Sequence, residues 1–264
     1  MDGIRTVVVK AGAGHLEIHG EPGRQRMQAR GKACASDEHQ LERTQIRVQR
    51  SGDTLVISSI PSNTLLHPKN WFGGGHSQLD LSIVVPPGIA LDVEDGSGDA
   101  HISNVGSLKI IDGSGALRIE EINGALELED GSGDVAIARA RGPVRIKDGL
   151  GDVEIQQIAG DVTIVNDGSG GLAILDVRGD VTIGNDGSGE IRIERVSGNV
   201  RIKNDGSGDI HVSHVKRNVT VDRDGSGDIV VQDIEGDLAV GEAGGGRVHH
   251  VRVGGRISLA DSKR

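Results

Sequence analysis

A four-residue motif recurs eight times in the last two-thirds of the sequence and constrains the fold more than any other feature. It reads Asp-Gly-Ser-Gly, with Leu150 replacing the serine once. Its copies begin 17 to 19 residues apart, at Asp95, Asp112, Asp130, Asp148, Asp167, Asp186, Asp205 and Asp224. Because so short a repeat cannot bury an apolar face alone, the period predicts stacked coils of a solenoid.

Apolar residues fall at five equivalent places in each coil. In the sixth coil these are Ile191, Ile193, Val196, Val200 and Ile202. The steps of two residues match the pleat of a β-strand, so each coil is expected to hold two short strands and two corners. The sequence therefore predicts an all-β fold, a parallel β-helix of about eight 17–19-residue coils with an N-terminal β-strand cap. The hexapeptide helix of acyltransferases needs an apolar residue every six positions and does not fit.

The composition supports a narrow aliphatic core. The chain of 264 residues has 42 glycines, one Trp, one Phe and no Tyr. The net charge of −10 is uneven, since residues 1–94 carry 10 basic and 10 acidic side chains while residues 95–264 carry 19 and 29. An acidic repeat disfavours nucleic acid as a partner, because phosphate binding requires a basic stripe.

Three regions are predicted. Residues 1–94 form a β cap region, with strand-like runs at 6–10, 15–19, 44–50, 54–60, 79–85 and 89–93 and a helical turn near 37–41. Residues 95–259 form the solenoid, of which 243–259 are a ninth, degenerate coil. Residues 260–264 are a polar tail. The cap is expected to cover an end that would otherwise expose a bare layer and a pairing edge.

Sequence signals for cellular location are few. Cys34 is the only cysteine, so no intramolecular disulfide forms and the redox compartment is not fixed. No apolar run reaches the length of a membrane span. The sequence opening at Met1 does not resemble a signal peptide.

One stretch carries a family resemblance. Residues 78–102 read QLDLSIVVPPGIALDVEDGSGDAHI, and Gly-Asp-Val-x-Ile half-repeats follow, as at 151–155 and 160–164. This pattern resembles the bacterial "putative adhesin" family of cell-envelope β-solenoids, which is related to auto-transporter adhesin head domains. The resemblance spans roughly residues 6–264. It implies a right-handed, non-enzymatic protein that is exported, periplasmic or on the cell surface, and it supplies no catalytic residues.

The acidic corner is the first candidate site. Stacking places the first aspartate of each motif in one ladder, and a second acidic ladder follows the motif. Like charges about 4.8 Å apart repel by roughly 1–3 kcal/mol per pair, which a hard cation such as Ca²⁺ would offset. The predicted metal ligands are Asp95, Asp99, Asp130, Asp134, Asp148, Asp152, Asp205, Asp209, Asp224 and Asp228. The alternative interpretation is turn chemistry, in which aspartate accepts from nearby backbone N–H groups.

Trp71 and Phe72 are the second candidate site. They are the only aromatic residues, and three glycines follow them. Such side chains in a loop can anchor an envelope glycan, a lipid surface or a partner protein. The alternative is that they pack onto the core of the N-terminal region.

Three functions remain open. The first is a non-enzymatic adhesin or interaction module without a nucleic-acid partner. The second is a cation-stabilised structural rod, and self-association through solenoid ends or faces is compatible with both. The third is a polysaccharide-active enzyme, which needs two carboxylates across a groove. The outward column that begins with His101, Arg118 and Ala136 shows no such concentration of acids.

Overall fold

A computed structural model describes residues 3–60 and 77–260. The N-terminal elements are β1 (Thr6–Lys10), β2 (Leu16–Gly20), β3 (Gln28–Ala35), helix α1 (Glu38–Arg43), β4 (Gln45–Ser51), β5 (Thr54–Ile60) and β6 (Ser77–Val85). The predicted runs at 6–10 and 54–60 match β1 and β5. The sequence prediction missed β3, whose outward residues are polar and whose apolar content is low.

The repeats supply the remaining strands in pairs. They are β7 (Ala90–Asp95), β8 (Ala100–Val105), β9 (Leu108–Asp112), β10 (Leu117–Ile122), β11 (Leu126–Asp130), β12 (Val135–Ala140), β13 (Val144–Lys147), β14 (Val153–Ile158), β15 (Val162–Asp167), β16 (Leu172–Val177), β17 (Val181–Asp186), β18 (Ile191–Val196), β19 (Val200–Asp205), β20 (Ile210–Val215), β21 (Val219–Asp224), β22 (Ile229–Ile234), β23 (Leu238–Ala243), β24 (Val248–Val253) and β25 (Ile257–Leu259).

From β5 onward the strands alternate between two sheets, which confirms the predicted parallel β-solenoid. The first sheet runs β25-β23-β21-β19-β17-β15-β13-β11-β9-β7-β1-β5-β4, and the second runs β24-β22-β20-β18-β16-β14-β12-β10-β8-β2-β6-β3. The solenoid makes about nine turns, slightly more than the eight predicted. The extra turn is the degenerate coil, which lacks the aspartate motif but keeps the strand pairing of β22 with β24.

The N-terminal strands extend the same two sheets. β1 lies between β5 and β7, so Val7 faces Leu55 on one side and Leu91 on the other. Beyond β5 and β6 the stack ends on two antiparallel strands, β4 and β3. These antiparallel partners cover the edges of that end, as a cap should. The division at residue 94 stays a prediction, since one continuous core joins both parts.

The core consists of the five predicted apolar columns. Their side chains are almost entirely buried in every coil from Ala100 to Val240. Burying a Val, Leu or Ile side chain contributes about 1.5–3 kcal/mol, and aliphatic side chains of similar size let each layer sit flat on the next. The solenoid is thereby held at a constant cross-section, with two repeating corners on its long edges.

Candidate functional site

The first corner of each coil joins its strand in the first sheet to its strand in the second sheet and carries the Asp-Gly-Ser-Gly motif. The structure places the leading aspartates of all eight motifs inside the solenoid. Each has at most 8% of its surface exposed. Equivalent aspartates pair in register from coil to coil, as Asp186 does with Asp205 and Asp205 with Asp224. We call this buried column the aspartate ladder.

The carboxyls of the aspartate ladder have few partners besides each other. Gly96 N donates to Asp95 Oδ1 at 2.9 Å. Neither carboxyl oxygen of the other seven makes a hydrogen bond of good geometry within the described residues, although backbone N–H groups such as Gly113 and Gly206 lie close enough to lower the pKa of their carboxyls. The ladder ends at Ala243, which pairs with Asp224. Neighbouring carboxyls can hydrogen bond to one another only if one of each pair keeps its proton.

Burial away from water raises the pKa of every carboxyl in the aspartate ladder. The value rises from 3.8 to about 6 at Asp95 and Asp167, to about 7 at Asp224 and to about 8 at Asp130 and Asp186. The pKa is also raised at Asp112, Asp148 and Asp205. A buried carboxylate is costly, so the acid retains its proton. The ladder can therefore share protons between coils at neutral pH.

The second predicted acidic ladder lies outside and has a different role. Asp152 Oδ1 accepts the backbone N–H of Gly171 in the next coil at 2.7 Å. Asp99, Asp134, Asp209 and Asp228 make the equivalent bond, at 2.8 to 3.1 Å. These carboxylates thus provide an acceptor for a backbone donor between strands, which supports the turn-chemistry interpretation for this column.

The predicted metal ligands are consequently not brought together as one set. Asp95, Asp130, Asp148, Asp205 and Asp224 are buried, whereas their partners four residues later bond backbone at the outer surface. Within residues 3–60 and 77–260, no group of three or more His, Cys, Asp or Glu side chains has an arrangement that could hold a metal ion. Calcium binding stays a prediction.

Trp71 and Phe72 lie outside the described residues. Their predicted role in ligand or partner binding stays a prediction.

The opposite edge of the solenoid contains a feature that sequence reasoning missed. Among the described residues, nine other than glycine adopt a left-handed backbone conformation, with φ between 55° and 61°, once in each coil. They are Asn104, Glu121, Arg139, Gln157, Asp176, Arg195, His214, Asp233 and Arg252. Each precedes the third core column by one residue. We call this residue and the next two the bend.

The bend has a sequence signal that can be recognised in retrospect. Core residues Ile193 and Val196 are three positions apart, yet both are fully buried. A regular strand would point them to opposite faces, so one intervening residue must break the alternation of side chains between the two faces. Left-handed backbone costs an L-residue about 1–2 kcal/mol, and strand pairing on both sides must hold it.

Side chains of successive bends form ion pairs along the edge. Arg195 makes two bonds to Asp176, of 2.6 and 3.0 Å. Arg252 likewise contacts both carboxylate oxygens of Asp233, one of them at 2.8 Å. Hydrogen bonding from Arg195 lowers the pKa of Asp176. Hydrogen bonding from Arg252 likewise lowers the pKa of Asp233, so the arginines favour the charged form of both carboxylates.

A long groove of about 1140 Å³ follows the bends of seven successive coils, from Arg139 to Arg252. Six basic and three acidic side chains line it. It is therefore a basic feature in a repeat region with excess acid. No helix in the described residues has the length and apolar character to span a membrane.

Comparison with known proteins identifies the fold. No protein-family model and no curated protein matches the chain. A crystal structure of a putative adhesin from Parabacteroides merdae is similar, with 14% identity, a TM-score of 0.50 and coverage of 96% of this chain and 93% of that one. A putative adhesin from Bacteroides fragilis has 15% identity, coverage of 95% and 94% and a TM-score of 0.35.

A putative cell adhesion protein from Clostridium sporogenes has 12% identity, coverage of 98% and 95% and a TM-score of 0.28. At these identities the likeness concerns the fold, and the Parabacteroides structure carries it. The resemblance deduced from the repeat motifs is thereby confirmed at the level of architecture. This chain has the β-solenoid fold of a putative adhesin over nearly its whole length.

Proposed function

We propose that this protein is a non-enzymatic, adhesin-like interaction module that presents the bend edge of a rigid solenoid to a partner. The observation that carries the proposal is the groove along seven bends. Elsewhere the interior is filled with aliphatic columns and the first corner is occupied by coil-to-coil bonds. At the bend edge the backbone has the same conformation in every coil, while the charged side chains differ from coil to coil.

The chemistry of the groove favours binding over catalysis. A glycosidase needs one carboxylic acid with a raised pKa to protonate its leaving group. In this groove, bonding to arginine lowers the pKa of Asp176 and of Asp233. Both carboxylates are therefore poor proton donors at neutral pH. The carboxyls with raised pKa values lie inside the solenoid, where a substrate does not reach them.

The solved structures also inform location. Similar proteins are described as putative adhesins or a cell adhesion protein, which fits an exported or surface protein with an interaction partner. We include an exported, periplasmic or cell-surface location in the proposal. An envelope glycan, a lipid surface and a protein remain the partner classes that the proposal covers.

A structural rod is the second candidate, and the aspartate ladder favours it. A column of buried acids runs through eight coils, and shared protons or bound cations would link each carboxyl to the next. Such a column could set the pH range in which the rod remains rigid. The two candidates differ in one respect: a rod needs no ligand.

The test is a binding and turnover assay on the full chain. Immobilised protein is exposed to acidic and neutral polysaccharides, to anionic and zwitterionic vesicles and to peptidoglycan fragments. Saturable binding of any of these, with recovered polymer of unchanged length, supports an interaction module. Shortened polymer would reassign the protein as an enzyme, and absence of all binding would favour the rod.

A further inference from the structure

We propose that the groove along the bends binds a linear anionic polysaccharide. One acidic group of the polymer would contact a cation at every second coil. This inference rests on the interaction function proposed above and names the ligand class for it. It depends on three cations, Arg141, Arg178 and Lys216, which occupy the third position of their bends.

These three side chains are exposed and form no ion pair, and the nearest acid in their column is Glu235, one coil beyond Lys216. The other arginines of the groove include Arg195 and Arg252, which are held by Asp176 and Asp233. By contrast, the three cations have no carboxylate partner within ion-pair distance among the described residues. Their charges are therefore available to a ligand, and no internal pair must be broken to use them.

The spacing of the three cations is regular. Bends of successive coils stack through backbone bonds, as Arg178 N does on Ile158 O at 2.9 Å and Lys216 N on Val196 O at 2.9 Å. Two coils separate each cation from the next, which is about 10 Å at the usual strand spacing of 4.8 Å. The intervening bends carry Ala159 and Ser197, whose short side chains leave the groove open.

This pattern suits a stiff polymer that turns one acidic group toward the groove at every second sugar. A pyranose unit advances its chain by roughly the rise of one coil. In an extended polyuronate, successive carboxylates face opposite sides of the chain, so every second carboxylate matches a cation in register. Polar side chains such as Gln157 and Ser197 line the same groove and can hydrogen bond to hydroxyl groups. Arginine adds paired donors that fit a carboxylate or sulfate.

An acidic peptide is a less suitable occupant. Extended peptides commonly bind by adding a strand to an exposed sheet edge, which requires free backbone groups. At the bends the backbone donors are already used, as in Ala159 N to Ala140 O at 2.9 Å and Ser197 N to Val177 O at 2.8 Å. Recognition in the groove must therefore come from side chains. Because the cationic side chains repeat every two coils, a ligand with regularly spaced negative charges suits them best.

The test compares polygalacturonate, poly-L-glutamate and neutral dextran as probes in titration calorimetry. The variant is Arg141→Ser/Arg178→Ser/Lys216→Ser. Its matched control is Lys109→Ser/Arg145→Ser/Lys203→Ser, which removes the same charge from exposed positions on the first sheet. Circular dichroism melts establish that both variants fold, since all six side chains are outside the core.

We expect the wild-type protein to bind polygalacturonate, with an affinity that falls as salt screens the charges. The groove variant should lose about tenfold to hundredfold in affinity, while the control should stay within about threefold of wild type. Dextran should not bind. Equal losses in the two variants would overturn the groove as the site, and tighter binding of poly-L-glutamate would overturn the polysaccharide.

Failure of this inference is separable from failure of the proposed function. If the protein binds vesicles or peptidoglycan but neither polyanion, the interaction function stands and the ligand assignment is overturned. If no surface material binds at all, both are overturned.

Discussion

The two corners of each coil repeat on the same frame, yet they use their residues differently. At the first corner, buried carboxyls, glycines and outer aspartates all bond or pack against the next coil. At the bend, residues as different as Gln157, Arg195 and His214 adopt the same left-handed conformation. Contacts between coils therefore restrict the residue type at the first corner, whereas the bend accepts many residue types. A solenoid can acquire a binding surface at the bend without losing its fold.

The largest effect is expected from a methyl group at the first corner. Gly208 has φ of +139°, and a Cβ there would lie 1.7 Å from Gly189 O. Because backbone would have to move, Gly208→Ala should lower the free energy of unfolding by more than about 3 kcal/mol. Thermal melting by circular dichroism measures the loss.

Gly245→Ala is the matched control for this substitution. It adds the same methyl group in the degenerate corner, where no atom lies within 4 Å of the added Cβ. Its melting temperature should stay within a few degrees of wild type. Similar losses in both variants would mean that the first corner is not a close-packed stack.

The aspartate ladder predicts an unusual pH dependence. Folding raises the pKa of Asp130 and Asp186 from 3.8 to about 8, so the folded protein holds more protons than the unfolded chain between these values. The free energy of unfolding must then fall as the pH rises through this window, by at least about 2 kcal/mol between pH 6 and pH 9. Urea denaturation across that range measures it.

Asp130→Asn tests the contribution of one ladder carboxyl to the pH dependence of the free energy of unfolding. The amide needs no proton and can donate to a neighbouring carboxylate, so the variant should gain about 1–2 kcal/mol at pH 8 and flatten the profile. Millimolar calcium and a chelator should leave the wild-type curve unchanged. A calcium-dependent rise in stability at high pH would instead assign the ladder to a cation, as the sequence prediction proposes.

A smaller effect is expected at the outer aspartates. Asp152→Ala removes the acceptor for Gly171 N, and an unpaired backbone donor should cost about 1 kcal/mol. Asp152→Asn keeps an acceptor oxygen and should lose less than half of that. Chemical denaturation distinguishes the two, and equal losses would show that charge rather than the hydrogen bond matters.

The smallest stability change is expected at the bend. Asp176→Asn weakens an exposed pair with Arg195, which should cost at most about 1 kcal/mol. Arg195 keeps its bond to Glu194 at 2.8 Å, so the substitution removes one of two carboxylates beside this cation, and polygalacturonate should bind up to a few-fold more tightly. A large loss of stability, or weaker binding, would contradict the division between the two corners.

Much of this architecture is readable from the sequence, because the pleat period and the motif spacing are physical requirements. All five core columns follow from steps such as Ile191 to Ile193. The inward position of Asp112 also had a signal, since it lies two residues after the buried Ile110 and shares its face. The prediction instead placed these acids at an edge, because a buried carboxyl column is chemically unexpected.

Other features had a weak local signal or none. The three-residue step between core columns marks the position of each bend, but no glycine marks its left-handed conformation, which pairing with neighbouring coils imposes. The position of β1 between β5 and β7 depends on contacts between strands far apart in the chain. The groove likewise exists only after stacking, when Arg141 and Arg178 come to lie two coils apart.

A substitution scan of one coil, residues 168–186, tests the central claim most directly. Each serine variant is displayed on cells and scored for folding by protease resistance and for polygalacturonate binding. We predict loss of folding at Gly168, Gly170 and the core columns, and weaker binding without loss of folding at Arg178. Binding defects confined to the first corner, or folding defects as severe at Arg178 as at Gly170, would contradict the account.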